Sequence, residues 1–340
     1  MHTHILYISF SGFDIVSIVT VVGALSCRLW VMPLASVDVL HPRLWRFLAW
    51  ALLALTISSF VLLVGRTLEM SRQPFSAIGP ILPLVVRKTQ FGHIWLIRPV
   101  TLILLWVCWF MGRYPGRGGR IAIPMFLMAA IIAFTRSATG HPADSGQFTY
   151  PEWVDWVHLM VASIWAGSLF AMIFGIFPAL QVPDTIPPTV IAELGNRLSR
   201  LASIALGLVL ISGYLSAWHD LVHLDNLWRT SYGRILIIKL LFVTAAMLLG
   251  ALNRYLHIPC IRCWAGFGVP KRGLAALSPL RHRIEQHASD KKTIPLQPLA
   301  RTITIEALLL LGALLAAAVL LHGMPPSDAP PMSAMTSGHM

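Results

Sequence analysis

The chain has 340 residues, of which 56% are hydrophobic and 12% are charged. Soluble domains carry about 25% charged residues, so this chain has too few charges to cover a water-facing surface and is predicted to be a membrane protein. The formal net charge of +12 raises the question of nucleic-acid binding. The cations lie in loops between apolar segments, so the excess is a signal of membrane topology, and no nucleic-acid partner is expected.

Apolar segments that could cross a bilayer recur along the whole chain. A span needs about 20 mostly apolar residues, and the sequence predicts spans near 8–32, 44–69, 90–112, 119–138, 152–179, 198–222, 232–256 and 302–322. The predicted fold class is therefore all-α, a polytopic membrane protein with about eight transmembrane helices. The segment Ile78–Val86 is too short to span and contains two prolines, so it is predicted to lie at the interface or to re-enter the bilayer. No positive region or cleavage site precedes the first span, which is predicted to be retained.

Lys and Arg are concentrated in alternate loops. The loops after the first, third, fifth and seventh spans carry most of them, whereas the residues before the first span and after the last carry none. Cytoplasmic loops are the ones enriched in Lys and Arg, so both termini are predicted to be periplasmic. The loop between the second and third spans is the exception, with Arg66, Arg72, Arg87 and Lys88 on the predicted outer side. Contact with anionic lipid headgroups is a secondary expectation.

Two passages of the sequence resemble each other. Residues 89–98 read T-Q-F-G-H-I-W-L-I-R, and residues 230–239 read T-S-Y-G-R-I-L-I-I-K. Each opens a span with Thr, an aromatic residue and Gly, and then places one cation at the same depth. A second pair, R-L-W-R at 43–46 and R-L-S-R at 197–200, occurs in the same order. The sequence therefore predicts a fold built as two parallel four-helix repeats.

This repeat divides the chain into two halves and a tail. Residues 1–140 are predicted to form the first half, and residues 141–322 the second, which includes a basic cytoplasmic loop at 257–300. Residues 323–340 are rich in proline, so they are predicted to be a disordered periplasmic tail. The methionines and His339 of this tail could capture a soft metal ion, and compositional drift is the alternative interpretation.

Two acids and two cations stand out among the ionisable residues inside predicted spans, where a charge is costly and indicates a structural or functional role. Arg98 and Lys239 stand about seven residues into the third and seventh spans, and Asp14 and Asp155 enter the first and fifth spans from the same side. We expect each cation to be neutralised by an acid or by carbonyl groups within the bundle, in a structural or coupling role. Snorkelling to the headgroups is the alternative.

Histidines are concentrated on the predicted outer side. His2 and His4 begin the chain, His93 opens the third span, His141 follows the fourth, and His158 lies inside the fifth. Imidazole binds copper and zinc well. These five residues are therefore candidate metal ligands. His219 and His223 are instead predicted to belong to a solvated face, because acidic residues surround them.

His158 is the candidate inside the bilayer. It lies one helical turn after Asp155, and Trp165 follows two turns later on the same face. A lone histidine in a span can also serve only to hydrogen-bond a neighbouring helix. We predict a metal ligand because a polar group is costly in lipid and because the other histidines lie on the same side.

A cytoplasmic element combines His257, Cys260 and Cys263. Cysteines at this spacing can bind Cu(I) or zinc, or cycle between thiol and disulfide. No second pair of this kind occurs, which excludes a four-cysteine zinc site within one chain. Cys260 and Cys263 are therefore candidate metal ligands at the cytoplasmic end of a transport path. The alternative is that they are two cysteines at the membrane interface without a metal-binding role.

Several of these motifs resemble one known family. The run D-W-V-H-L-M-V-A-S-I-W-A-G at 155–167 resembles the His-x6-Trp-x-Gly signature of the copper resistance protein D family (CopD). The span-opening motifs at 89–98 and 230–239 and the R-L-S-R motif at 197–200 are also similar to that family. The likeness covers most of the chain, and its specific part is the fifth to seventh spans.

The resemblance implies a bacterial inner-membrane protein of eight helices that transports copper from periplasm to cytoplasm. It also implies a partner, a small periplasmic copper chaperone of the CopC type. His141, His158 and Trp165 match family positions. Ser168 stands where the family has a second Gly, and Leu198 stands where it has Phe.

Three functional hypotheses follow from these observations. The first is a copper transporter, not an enzyme, in which Cu(I) or Cu(II) passes from the outer histidines through His158 and between the two halves toward Cys260 and Cys263. No ATP-binding loop is visible, so direct ATP coupling is not expected. The second hypothesis is a b-type membrane redox protein with haem held between His158 and His93. The third is a copper sensor that binds the ion without moving it.

Overall fold

A computed structural model describes residues 2–139, 148–182, 185–221, 225–267 and 296–321. The described residues are helices joined by short connections, and they contain no β-strand. The all-α prediction is therefore confirmed for this part of the chain.

Eight helices in the described residues are long and apolar enough to cross a membrane. They are Tyr7–Val31, Leu34–Ser71, Gln90–Gly112, Gly116–Ser137, Tyr150–Leu180, Pro188–Trp218, Ser231–Trp264 and Leu296–Leu320, called spans 1 to 8 here. Spans 2 and 6 begin about ten residues earlier than the sequence predicts, because a helix continues past the hydrocarbon layer into polar sequence that a search for apolar windows leaves out.

The spans are built from shorter helical pieces. The α-helices are His2–Ser26, Val37–Ser71, Ile78–Lys88, Gln90–Trp95, Ile97–Gly112, Pro115–Ser137, Tyr150–Ala171, Phe177–Leu180, Pro188–Leu221, Asn226–Arg229, Ser231–Leu252, Ile258–Trp264 and Leu296–Leu320. Short 3₁₀ turns at Leu34–Ser36 and Phe75–Ala77 precede two of them. Spans 1, 5 and 7 each contain one π-helical turn, at Cys27–Val31, Met172–Ile176 and Asn253–His257.

The segment predicted to lie at the interface forms the helix Ile78–Lys88, which is not one of the eight spans. A methyl group at Gly92 would overlap the backbone of Val85 and Val86, so the start of span 3 packs directly against this short helix. Val85, Phe91, Trp95 and Leu63 bury one another in a small apolar cluster there. The short helix is thereby fixed to spans 2 and 3.

Span 1 lies at the centre of the bundle and contacts spans 2, 4, 5 and 8. Its contact with span 5 is the closest, since a Cβ at Gly23 would overlap the backbone of Gly167, and one at Gly167 would overlap the carbonyl of Val19. Small residues allow membrane helices to approach in this way. Large apolar side chains such as Ile103 and Leu241 remain exposed on the outside of the bundle, as a lipid-facing surface requires.

The two similar passages of the sequence have the same local structure. Thr89 caps span 3 by accepting a hydrogen bond from the Gly92 amide at 3.0 Å, and Thr230 caps span 7 by accepting from Gly233 at 2.9 Å. Each threonine hydroxyl also donates to the carbonyl four residues earlier. This likeness supports the two-repeat architecture, which stays a prediction, as do the domain boundaries and the periplasmic termini.

Candidate functional site

In the first half, the intramembrane cation belongs to a closed polar network. The Arg98 guanidinium makes two hydrogen bonds to the Asp14 carboxylate, at 2.7 and 3.0 Å, and its Nε donates to Thr135 at 2.8 Å. Ser58 and Ser59 contribute hydroxyl contacts to the same pair. Arg98 is 2% exposed and Asp14 is 0% exposed. This geometry is that of a structural ion pair, with the fork of the arginine matched to the carboxylate.

In the second half, His158 of span 5 faces span 6. Its Nδ1 lies 2.9 Å from the Ser212 hydroxyl, and a methyl group at Gly213 would come within 3.2 Å of its Cε1. The glycine thus gives the imidazole room against the helix, and the serine fixes the orientation of the ring.

The hydrogen bonds around Ser212 determine which ring nitrogen of His158 carries the proton. The Ser212 hydroxyl donates to the Leu208 carbonyl at 2.7 Å, so its oxygen is free to accept from the imidazole. The Val209 carbonyl is a second acceptor near the ring. Both acceptors favour a proton on Nδ1 of His158. Nε2 then keeps its lone pair, and metal-binding histidines are typically held through the opposite nitrogen in this way.

Lys239 lies close enough to His158 for an electrostatic interaction, so spans 5, 6 and 7 bring a histidine, a serine and a cation together. Asp155 lies one turn before His158 on span 5. Asp155 and Lys239 are the predicted repeat equivalents of Asp14 and Arg98. In the second half, His158 therefore lies beside the residues that correspond to the Asp14–Arg98 pair of the first half.

Trp165 leads to a residue that the sequence analysis did not identify. Its indole Nε1 donates to Glu306 of span 8 at 3.1 Å, and the amide of Asn253 donates to the other carboxylate oxygen at 3.0 Å. Glu306 is 3% exposed. The signal was present in the sequence, because Glu306 is an acid inside the predicted span 302–322, where a charge is costly.

A cavity of about 390 Å³ opens beside this carboxylate. Its lining comes from spans 5, 6, 7 and 8, with Trp165, Glu306 and Asn253 among the polar groups. All of its lining residues belong to the predicted second half. A path between the two halves was expected, whereas the cavity lies within one half and the contact of spans 1 and 5 is tightly packed.

The remaining candidate ligands lie away from His158 or outside the residues that the structure describes. His93 is exposed, and its Nε2 lies 3.0 Å from the Arg87 carbonyl. His2 and His4 lie in the first helix, but their side chains are not among those that the structure describes. His141 and the tail 323–340 lie outside the described residues.

Cys260 and Cys263 stand one turn apart on the helix Ile258–Trp264, which continues span 7. Cys260 is buried, Cys263 is partly buried, and both are free thiols. Within the described ranges no three His, Cys, Asp or Glu residues are grouped as a metal site.

Comparisons with known proteins support the resemblance noted in the sequence. Residues 1–148 match the model of the copper resistance protein D-like, N-terminal domain, and residues 192–320 match that of copper resistance protein D. The copper transport protein CutJ of Bacillus subtilis (strain 168) is 29% identical over 179 residues. That alignment covers 50% of this chain and 32% of CutJ. No solved structure matches the chain.

The two family models follow each other along the sequence and together cover most of it, and the eight apolar helices identify a multi-pass membrane protein. The chain belongs to the copper resistance protein D family.

Proposed function

We propose that this protein transports copper across the bacterial inner membrane, from periplasm to cytoplasm. The family and the name of the Bacillus relative support a role in copper transport or resistance. The observation that carries the proposal is His158, whose Nδ1 is held by Ser212 inside a span while Nε2 keeps a free lone pair. An oriented imidazole within the bilayer is costly and is suited to binding a passing metal ion.

Copper is the substrate of the proposed path. The outer histidines, His2, His4, His93 and His141, receive it from a periplasmic chaperone of the CopC type. His158 binds it inside the bundle, and Cys260 and Cys263 receive it at the cytoplasmic end. A membrane potential of about 100 mV supplies roughly 2.3 kcal/mol per charge moved inward. Asp155 and Lys239 adjust the charge beside His158, and Trp165 orients the acid of the cavity.

Copper uptake into proteoliposomes tests the proposal. Wild-type protein should accumulate copper inside the vesicles, and His158→Ala should reduce the rate by at least about tenfold, because the intramembrane ligand is lost. Ser212→Ala should reduce the rate less, since the Val209 carbonyl still orients the ring.

Ser163→Ala is the matched control, because Ser163 makes the same hydrogen bond to the carbonyl four residues earlier but does not contact His158. Its uptake should equal that of the wild type. Equal uptake by wild type and His158→Ala would remove His158 from the path. Binding without uptake by the wild type would favour a sensor.

The haem hypothesis is tested by an absorption spectrum of the purified protein. A bis-histidine haem would need His93 and His158 to face one site. The Nε2 of His93 is instead hydrogen-bonded to the Arg87 carbonyl. We therefore expect no Soret band, and its presence would overturn the assignment as a pure transporter.

A further inference from the structure

The cavity beside Glu306 combines one acid with two thioethers. Met172 of span 5 and Met247 of span 7 line it together with Glu306 of span 8, and most of the remaining wall is apolar. Met172 is 2% exposed and begins a π-helical turn, a feature that often marks a functional site.

Glu306 is held by neutral groups only. One carboxylate oxygen accepts from Trp165 and the other from Asn253, and in the described part of the chain no Lys or Arg forms an ion pair with it. Buried charges are usually paired or bound to a cation. Each oxygen also has a second lone pair, so the carboxylate can accept a cation that enters the cavity.

Gly250 leaves one side of this carboxylate open. A Cβ at that position would stand 3.3 Å from Oε1 of Glu306. Met247 lies three residues earlier on the same face of span 7. Met247 and Gly250 therefore line the cavity from one face of span 7, next to the Glu306 carboxylate of span 8.

We propose that this cavity is a second copper(I) site, in which Met172 and Met247 supply the soft ligands and Glu306 the compensating charge. Thioether sulfur selects Cu(I), whereas Na⁺ or Mg²⁺ takes oxygen ligands only. The two serine hydroxyls of the wall, Ser199 and Ser203, already accept hydrogen bonds from Arg254, which also lines the cavity. The site rests on the proposed function. It follows His158 on span 5 because His158, Trp165 and Met172 recur every seven residues, about 10 Å apart along the helix.

The test is Cu(I) binding to the full-length protein in detergent, measured against a colorimetric Cu(I) chelator, for wild type and Met172→Leu/Met247→Leu. Leucine keeps nearly the same volume, so folding should be preserved, which a thermal unfolding curve checks. The double variant should bind one equivalent less, or bind it at least about tenfold more weakly, a change of about 1.4 kcal/mol. Glu306→Gln should weaken the same equivalent.

Met125→Leu is the matched control, because Met125 is a fully buried methionine of span 4 that does not line the cavity. It should bind as the wild type does. Unchanged binding by the double variant would overturn the cavity site, and unchanged binding by Glu306→Gln alone would overturn the role of the carboxylate.

Uptake by the same variants separates this site from the proposed function. If wild type takes up copper and the double variant takes it up equally well, the cavity site fails and copper transport stands. If wild type takes up no copper but the double variant still loses an equivalent, transport fails and the site stands.

Discussion

Asp14 and Arg98 are oppositely charged residues buried in the membrane interior, and each depends on the other. Asp14→Asn keeps the side-chain shape but leaves the Arg98 guanidinium without its counter-charge. Removing one partner of a buried ion pair costs about 3–5 kcal/mol, so we expect a clearly lower temperature of thermal unfolding in detergent.

The control for this change is Asp38→Asn. Asp38 is exposed in the first turn of the helix Val37–Ser71, where loss of a favourable helix-dipole interaction costs about 0.3–1 kcal/mol. An equal fall in unfolding temperature for the two variants would contradict the structural role of the Asp14–Arg98 pair.

Single residues also show what the sequence could and could not predict. His158 was identifiable because a histidine inside an apolar run is costly wherever its partners lie. Its partner Ser212 was not, because serines are common in spans and the contact joins residues of two helices. Glu306 carried the same signal, since it lies inside the predicted span 302–322, but its partners Trp165 and Asn253 are on other spans and only the packing brings them to it.

At the scale of helices, the number and type of the spans could be predicted from the sequence. The predicted bounds differ from those of the structure where a helix continues into polar sequence. The close contact of spans 1 and 5 could not be predicted, because glycines occur along the whole chain and only the packing shows which ones touch. The same holds for the cavity, which needs four spans to be placed together.

The contact of spans 1 and 5 yields a prediction about packing. Gly167→Ala would place a methyl group on the backbone of span 1, so the two helices must separate. Overpacking of this kind costs about 1–3 kcal/mol, and we expect a lower unfolding temperature. Gly207→Ala is the control, because open space surrounds Gly207 within the helix of span 6. The stability of Gly207→Ala should be unchanged or higher by up to about 1 kcal/mol. An equal fall in the unfolding temperature of Gly167→Ala and Gly207→Ala would contradict the close contact of spans 1 and 5.

At the scale of the whole molecule, the two predicted halves differ in what their polar groups do. The first half closes its network around Arg98 and Asp14, with both charges satisfied. The second half holds His158 with a free nitrogen and a cavity beside Glu306. In the proposed transporter, the first half serves as a rigid scaffold against which span 5 packs, and the second half binds the ion.

The proposed path requires the cavity to face the cytoplasm, which is the orientation that the positive-inside rule predicts. The test places single cysteines at two exposed positions, Gln73 between spans 2 and 3 and Gly116 at the start of span 4. In right-side-out membrane vesicles, a membrane-impermeant maleimide should label Gln73→Cys directly and Gly116→Cys only after detergent is added. The wild type measures the background from its native cysteines, of which the structure shows two buried and two partly buried. Four cations lie on the predicted outer side against the rule, Arg66 near the end of span 2 and Arg72, Arg87 and Lys88 between spans 2 and 3. Labelling of Gly116→Cys in intact vesicles would show that these charges decide the orientation and that the cavity opens to the periplasm.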